Sequence, residues 1–241
     1  MNWINQKNYV IYFGDENDNL RDQADYHAGH FLKLYQKINA QEPNSIDCLF
    51  FLKQNHGNTI FVLDDKNKIN TPVGFFQRSG DAIITAEKKC AIGVVTADCL
   101  PVVLYDQKNN VVGIVHAGWR GLASKIMTAT INKMREYYGT HSSDLIIHLG
   151  PSAGVCCYEV QSDLLTHFAE SIFEKKIAEK RNGKIYFNPM RAAHIEALAD
   201  HVASNNIHSN NNHCTICTPG YCSARKHKEN AGRQPSVVIL R

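Results

Sequence analysis

Short apolar runs rich in β-branched and aromatic residues fill the first half of this chain, and they constrain its fold more than any other feature. Glycine and polar turn-formers separate the runs, and the tetrapeptide Gln107-Lys108-Asn109-Asn110 between two of them is typical of a hairpin connection. We therefore predict a fold built on β-sheet, with strands near residues 9–13, 48–52, 59–63, 82–85, 92–96, 102–105 and 111–116.

Helical spacing begins after the predicted hairpin. Apolar side chains recur at i, i+4, i+7 and i+11 along one segment, which assigns its methionines to a buried helix face: Met127, Ile131, Met134 and Tyr138. The segment is expected to be one helix that follows directly on the strand ending at His116. A second helix is suggested by similar spacing at Leu164, Phe168 and Ile172.

A third helix is predicted to open at Asn188-Pro189, an N-cap residue followed by proline at the first helical position. Its expected apolar face consists of Ile195, Leu198 and Val202. The polar tract at 204–212 predicts a surface loop, and the apolar run at 236–240 predicts a closing strand.

The chain has 241 residues, and its sequence contains neither an internal repeat nor a linker that would divide it. Area scaling predicts that folding buries roughly 72% of the surface of the unfolded chain, which is ample for a sizeable core. We therefore expect one domain over residues 1–241, of the α/β class, with mixed β-sheets and flanking helices.

Charge and cysteine content exclude several classes of protein. The net charge is only +3 and the basic residues are scattered, so a nucleic-acid partner is not implied. The first residues lack the apolar core of a signal peptide, and no run reaches the length of a membrane span. We expect a cytoplasmic protein without a membrane partner, whose eight cysteines are thiols or metal ligands.

Three segments join predicted strands to turns that carry reactive side chains: Gln54-Asn55-His56-Gly57, Thr96-Ala97-Asp98-Cys99-Leu100-Pro101 and His116-Ala117-Gly118-Trp119-Arg120-Gly121. One thiolate and two imidazoles would suit zinc with a fourth position open, which is the catalytic pattern. Sequence alone leaves open whether they converge. In the alternative, His56 caps a turn and Cys99 is a small buried hydrophobe.

The turn after His116 is a candidate anion site. Free backbone N–H groups at the start of a helix attract anions, and Arg120 lies in this turn, so a phosphate or carboxylate would fit. In an equally good alternative, the glycines are there to form a tight turn and Arg120 forms an ion pair at the surface.

Cys214-Thr215-Ile216-Cys217 has the spacing of a zinc knuckle or a redox motif. A second C-x-x-C is missing from the sequence, which argues against a structural zinc there. The adjacent Cys156-Cys157 pair is expected to be buried.

Taken together, the chain resembles the multicopper polyphenol oxidoreductase laccase family, whose members are also described as purine nucleoside phosphorylases with adenosine deaminase activity. The first forty residues depart from the family, because Tyr12-Phe13-Gly14-Asp15-Glu16 replaces its usual Thr-Arg-x-Gly-Gly segment. The resemblance spans most of the chain and rests on the three segments above together with Gly80-Asp81-Ala82, Leu149-Gly150-Pro151, Cys157-Tyr158-Glu159-Val160, Cys214-Thr215, Ser223-x-Arg225 and Gly232-Arg233-Gln234.

The resemblance implies a metal site and a reaction. It makes His56, Cys99 and His116 the metal ligands, with zinc as the cofactor. The reaction it implies converts adenosine, inosine or methylthioadenosine plus phosphate to the free base and ribose 1-phosphate. Adenosine deamination, by water activated at the metal, is the side activity. The partners are therefore purine nucleosides and phosphate, and the protein is expected to be a monomer or small homo-oligomer.

Roles follow for individual residues. Cys99, His116 and Asp98 are the predicted catalytic residues, with Asp98 as acid/base if a bend turns it toward the site. The candidates for binding substrate and phosphate are Arg120, Arg225 and Arg233.

The word laccase in the family's name implies copper chemistry, which the ligands of this chain would have to support in a different way. A multicopper laccase builds a trinuclear cluster from His-x-His pairs, which this sequence lacks. The ligand set resembles a mononuclear site, where copper can outcompete zinc, so polyphenol oxidase activity would follow from copper loading.

Two other functions compete with these expectations. In the first, Cys99 is the nucleophile and His116 the base of a cysteine hydrolase or amidase. The family's likeness to the cysteine-hydrolase-like toxin fold favours this alternative. In the second, the zinc is structural and the protein is a binding module.

Overall fold

A computed structural model describes residues 3–20, 28–41, 46–65, 73–168 and 177–241. Its helices are α1 (Ala28–Gln41), α2 (Trp119–Ala123), α3 (Ile126–Tyr138), α4 (Ser162–Thr166), α5 (Pro189–Ala199) and α6 (Ala224–His227). Its strands are β1 (Trp3–Asn5), β2 (Tyr9–Phe13), β3 (Cys48–Lys53), β4 (Ile60–Leu63), β5 (Val73–Ser79), β6 (Ala82–Thr85), β7 (Cys90–Thr96), β8 (Leu100–Asp106), β9 (Val111–Ala117), β10 (Leu145–Leu149), β11 (Glu159–Val160), β12 (Ala178–Arg181), β13 (Lys184–Phe187), β14 (Ile207–His208) and β15 (Gln234–Leu240).

The strands form two large mixed sheets and one small sheet. Sheet 1 has the order β1-β2-β15-β7-β3-β5, in which β3 runs parallel to both β5 and β7 and the other pairs are antiparallel. Sheet 2 has the order β14-β10-β8-β9-β6-β4, with parallel pairs only at its two edges. The small sheet is β11-β13-β12.

Two helical layers cover the outer faces of the paired sheets. One apolar cluster, which includes Phe50, Val103 and Ile114, joins the inner faces of sheets 1 and 2. On the outer face of sheet 1, α1 contributes Phe31, whereas α2, α3 and α5 cover sheet 2. Strands covered on both faces read as continuous apolar runs, which explains the feature that dominates the sequence. The predicted α/β class with mixed sheets and flanking helices is confirmed.

The chain crosses from sheet 1 to sheet 2 three times, between β3 and β4, between β5 and β6, and between β7 and β8. These crossings carry His56, Asp81 and Cys99 respectively. His116 lies near the end of β9 and pairs with Pro101 at the start of β8. The topology therefore gathers the reactive segments at one end of the sheet pair.

The predicted strands are confirmed, each extended or shortened by at most a few residues, and Gln107-Lys108-Asn109-Asn110 forms the turn between β8 and β9. The closing strand is β15, which lies inside sheet 1 between β2 and β7. The methionine-bearing helix is α3, and its methionines are fully buried. None of the helices in the described ranges is long and apolar enough to cross a membrane.

Several helical predictions are wrong in detail. The segment after His116 forms two helices, because Lys125 adopts the left-handed region (φ 57°) and ends α2 before α3 begins. Of the face predicted for α5, Ile195 packs partly buried against the core and Val202 is buried just after the helix, but Leu198 is exposed and most of the buried positions are alanines. Of the predicted second helix only α4 is described, Phe168 lies in the turn after it, and Ile172 lies outside the described residues. The predicted loop at 204–212 contains β14.

Two predictions about cysteines are also wrong. Cys48 and Cys90 form a disulfide, because they are register partners on the parallel strands β3 and β7 and their Cα atoms lie 4.9 Å apart. Cys156 is exposed and Cys157 half-buried, since both lie in a turn outside the core.

Candidate functional site

His56, Cys99 and His116 converge at the crossing end of the sheets. Their ligand atoms all lie within 4.8 Å of one another, and the two imidazole rings meet edge to face at 4.8 Å between centroids. Gly118 allows their close approach, because a Cβ atom there would lie 3.1 Å from the His56 ring and 3.2 Å from the Cys99 sulfur and would crowd both. One thiol and two imidazoles form a donor set that fits zinc or copper.

Asp81 holds both histidines in place. Its Oδ1 accepts a 2.8 Å hydrogen bond from His116 Nδ1 and a 2.9 Å bond from the His56 backbone N–H, while Gly57 N–H donates to Oδ2 at 2.8 Å. Burial alone would raise the pKa of Asp81, but the bonds from His116 and the backbone outweigh it and lower the pKa. A carboxylate on the far nitrogen of a histidine is typical of metal-ligating imidazoles and leaves His116 Nε2 for the ligand side.

Cys99 and His116 also influence each other's ionisation. Burial would raise the pKa of Cys99, but the charge and hydrogen bond of His116, with a bond from His56, lower it to about 6. Burial would likewise lower the pKa of His116, but Cys99 and Asp81 raise it to about 9. A thiolate beside an imidazolium is a nucleophile in a metal-free protein and a ligand in a metal-bound one.

The cluster opens into a cleft of about 840 Å³. All three arginines predicted to bind substrate line this cleft: Arg120, Arg225 and Arg233. The Arg120 guanidinium lies 4.2 Å from the centre of the Trp119 ring, and that of Arg225 lies 5.0 Å from the Tyr158 ring. Such stacking fixes the plane of a guanidinium while leaving its N–H groups for an anion.

Arg233 is held differently from the other two. Its Nη1 donates to the carbonyl oxygens of Ala231 and Gly232 at 3.2 and 2.8 Å. Its backbone N–H donates to Asn19. The charge of Arg233 therefore stands at the cleft wall with part of its hydrogen-bonding capacity already used.

Asp98 lies in a bend between β7 and β8 with a left-handed backbone (φ 87°), so the predicted break in strand pairing near Cys99 is confirmed. Its carboxylate is buried at the cleft wall. Thr215 Oγ1 donates to Oδ1 and the Arg225 backbone N–H donates to Oδ2, each at 2.7 Å. Whether Asp98 is an acid/base group stays a prediction.

Sequence reasoning assigned no role to Asp81, Tyr158 or Thr215. All three lie within segments already singled out, but their importance depends on pairing across the fold. His116 reaches Asp81 because β9 pairs with β6, and Thr215 reaches Asp98 across 117 positions of sequence. The signals available for Asp81 were its place in the Gly80-Asp81-Ala82 segment and a charged residue directly before an apolar run.

Comparison with known proteins places the site in context. Residues 18–241 match the family described as multi-copper polyphenol oxidoreductase laccase. A purine nucleoside phosphorylase of Aquifex aeolicus is 34% identical over 212 residues, which cover 88% of this chain and 90% of that protein. Another, of Clostridium acetobutylicum, is 29% identical over 239 residues, covering 98% and 88%. The adenosine deaminase RL5 of an unknown prokaryotic organism is 30% identical over 195 residues, covering 78% and 73%.

A solved structure matches the fold. The crystal structure of the Bacillus licheniformis hypothetical protein YfiH superposes with a TM-score of 0.82, at 20% sequence identity, over 97% of this chain and 93% of that one. At that identity the match shows the architecture, and the chemistry has to be argued from the side chains of the cleft.

Proposed function

The chain belongs to the multi-copper polyphenol oxidoreductase laccase family, and from this membership we propose that it is a purine nucleoside phosphorylase acting in the cleft of His56, Cys99 and His116. The similar proteins of Aquifex aeolicus and Clostridium acetobutylicum carry that name. The observation that carries the proposal is the convergence of a Cys/His cluster and three arginines on one cleft of about 840 Å³. The proposed substrates are adenosine, inosine and methylthioadenosine.

In phosphorolysis a phosphate oxygen forms a bond to ribose C1′ while the bond from C1′ to the purine nitrogen breaks and its electron pair leaves with the base. The protein must hold a dianion next to a sugar carbon and keep it aligned. Arg120 and Arg225 are suited to this, since planar guanidinium groups bind phosphate oxygens in pairs and aromatic rings hold both planes. Arg233 adds positive charge at the same wall.

We propose zinc as the resident metal, held by His56, Cys99 and His116. When bound, it supplies Lewis-acid polarisation to a group in its open position. Asp81 fixes the His116 ring, and burial of His116 limits the access of water to that side of the cluster. Copper at the same ligands is the proposed source of polyphenol oxidase activity.

Adenosine deamination is the proposed side activity, in keeping with the name of the RL5 relative. Water adds at purine C6 and ammonia leaves, so a group in the cleft must move a proton. We assign that task to Asp98, because each carboxylate oxygen retains a lone pair beyond its bond from Thr215 or Arg225.

One observation favours a second function, a cysteine hydrolase or amidase. His116 and His56 lower the pKa of Cys99 despite its burial, and a thiolate beside an imidazole is a nucleophile. The presence of a metal distinguishes the two proposals, because an ion bound to the Cys99 sulfur prevents that sulfur from acting as a nucleophile. Iodoacetamide should alkylate Cys99 in the chelated protein and spare it in the zinc-loaded protein. Alkylation at equal rates in both would favour the hydrolase.

The direct test is adenine release from adenosine with and without phosphate. The zinc-loaded protein should release adenine only when phosphate is present, and Cys99→Ala should release little in either case. Cys222→Ala is the matched control, because Cys222 is a buried free thiol outside the cluster of His56, Cys99 and His116. If adenine is released at equal rates with and without phosphate, the enzyme is a hydrolase and the proposal is overturned.

A further inference from the structure

Four cysteines from two distant segments meet outside the cleft. Cys156 and Cys157 follow β10, whereas Cys214 and Cys217 form the C-x-x-C motif near the end of the chain. Their sulfurs all lie within 4.8 Å of one another, and the sulfurs of Cys156 and Cys217 are 3.7 Å apart. The adjacent pair thus supplies the partner that the C-x-x-C motif lacks in sequence.

Backbone pairing brings the two segments together. Ser152 forms a parallel bridge with Cys214, in which Ser152 N–H donates to His213 O at 3.1 Å and Thr215 N–H donates to Ser152 O at 3.0 Å. The C-x-x-C segment closes on itself, with Thr218 N–H donating to Cys214 O at 2.9 Å. The cysteines are therefore held in place by backbone bonds that do not involve sulfur.

Gly154 makes room for the four sulfurs. A Cβ atom at this position would lie 3.0 Å from Cys214 Cβ and 3.1 Å from Cys156 Sγ. The Gly154 N–H donates to Cys214 Sγ at 3.2 Å, the kind of backbone bond that supports a metal-bound thiolate. A side chain at this position would therefore push the sulfurs away from their present places.

We propose that Cys156, Cys157, Cys214 and Cys217 bind a structural zinc ion, separate from the metal proposed at His56, Cys99 and His116. Tetrahedral zinc with bonds of about 2.3 Å to sulfur places its sulfurs about 3.8 Å apart, close to the distance between Cys156 and Cys217. A disulfide would require sulfurs about 2 Å apart. Four thiolates fill the coordination sphere, so this site is closed to substrate.

The position of the site gives it a structural task. Tyr158, which stacks on Arg225, directly follows Cys157. Thr215, which donates to Asp98, directly follows Cys214. A zinc ion at the four-cysteine cluster would therefore fix two segments that form one wall of the cleft.

Metal analysis of untagged protein tests this proposal. The native chain should hold about two equivalents of zinc, and Cys217→Ser should hold about one. Because Cys217 is exposed, this substitution leaves the core intact. Cys217→His should restore the lost equivalent, because imidazole can replace one thiolate in a structural zinc site. Cys222→Ala is the control and should retain both equivalents.

X-ray absorption on Cys99→Ala identifies the ligands of the remaining zinc. Four sulfur neighbours at about 2.3 Å would support the proposal. Nitrogen or oxygen neighbours, an unchanged zinc content in Cys217→Ser, or a disulfide between Cys156 and Cys217 in non-reducing peptide mapping would each overturn it. The proposal does not rest on the proposed function: if the chemistry at Cys99 fails, the zinc that depends on Cys217 should still be present.

Discussion

The Asp81 carboxylate connects its own sheet crossing to the His56 turn and to the His116 ring through direct hydrogen bonds. Its Oδ1 accepts hydrogen bonds from the His116 ring and from the His56 backbone N–H. Its Oδ2 accepts a hydrogen bond from the Gly57 backbone N–H. The pKa of Asp81 is lowered by these contacts, which keeps the group an acceptor at neutral pH. Its effect on a metal ion held by the cluster would be indirect, through the orientation of His116, and that effect can be measured.

Asp81→Asn should weaken zinc affinity by roughly 10- to 100-fold, the usual loss when the partner of a metal-ligating histidine is removed. The reason is that the amide replaces one acceptor oxygen with a donor. Competition with a chelator of known affinity measures the change. Asp106→Asn is the control, because Asp106 is equally buried but bonds to the β8–β9 turn. Equal affinity in Asp81→Asn and the native protein would contradict the assignment.

Asp98→Asn should lower the rate of adenosine deamination by roughly 100-fold or more, because an amide cannot transfer the proton. Asparagine suits the left-handed backbone at this position, so the fold should survive. Zinc content should stay near that of the native protein. Rates of ammonia release measure the effect.

Thr215→Val is the matched control for Asp98, since it removes the hydroxyl that donates to the carboxylate but keeps the carboxylate itself. It should cost far less activity than Asp98→Asn. Equal losses in the two variants would instead assign Asp98 to positioning the Thr215 and Arg225 segments.

Helix α5 shows how an element can differ from its sequence pattern. Its buried face is made of Ala192, Ala193 and Ala197, which permit close packing against the other helices over sheet 2. The same face buries Glu196, whose Oε1 accepts a 2.8 Å bond from the Thr128 N–H in the first turn of α3. Ile195 and Val202 of the predicted face do pack against the core, but the prediction missed the alanines because a close helix contact selects small residues.

The Glu196 carboxyl should make the free energy of unfolding fall as pH rises. Burial raises the pKa of Glu196 from 4.5 to about 7, despite hydrogen bonds from Thr128. Between these two pH values the folded chain holds a proton that the unfolded chain has lost, so the free energy of unfolding decreases as pH rises. Glu196→Gln should abolish this decrease, and it should be more stable than the native protein at about pH 8 but not at about pH 5.

Urea denaturation of both proteins at the two pH values measures the effect. Glu136→Gln, an exposed change on α3, is the control and should follow the native pH dependence. If Glu196→Gln shows the native dependence as well, the carboxyl of Glu196 is not protonated in the folded chain.

At the scale of the whole molecule, the site exists because the chain crosses repeatedly between the two large sheets. Apolar runs were enough to predict most strands of the two large sheets, since both faces of the sheets are covered, but they missed β5 and β10 as well as the short strands and the small sheet. They could not predict strand order, which places β15 inside sheet 1 and sets β6 beside β9. The convergence of His56, Cys99 and His116 was therefore available only from family resemblance, and the contact of Cys156 with Cys217 was not available at all.

Phosphorolysis with oxygen-18-labelled phosphate tests the central claim most directly. The zinc-loaded protein is incubated with adenosine and phosphate labelled at every oxygen, and the sugar product is analysed by mass spectrometry. Because a phosphate oxygen forms the new bond to C1′, the account predicts ribose 1-phosphate that retains every labelled oxygen, together with adenine in equal amount. Free ribose and adenine without labelled sugar phosphate would contradict it.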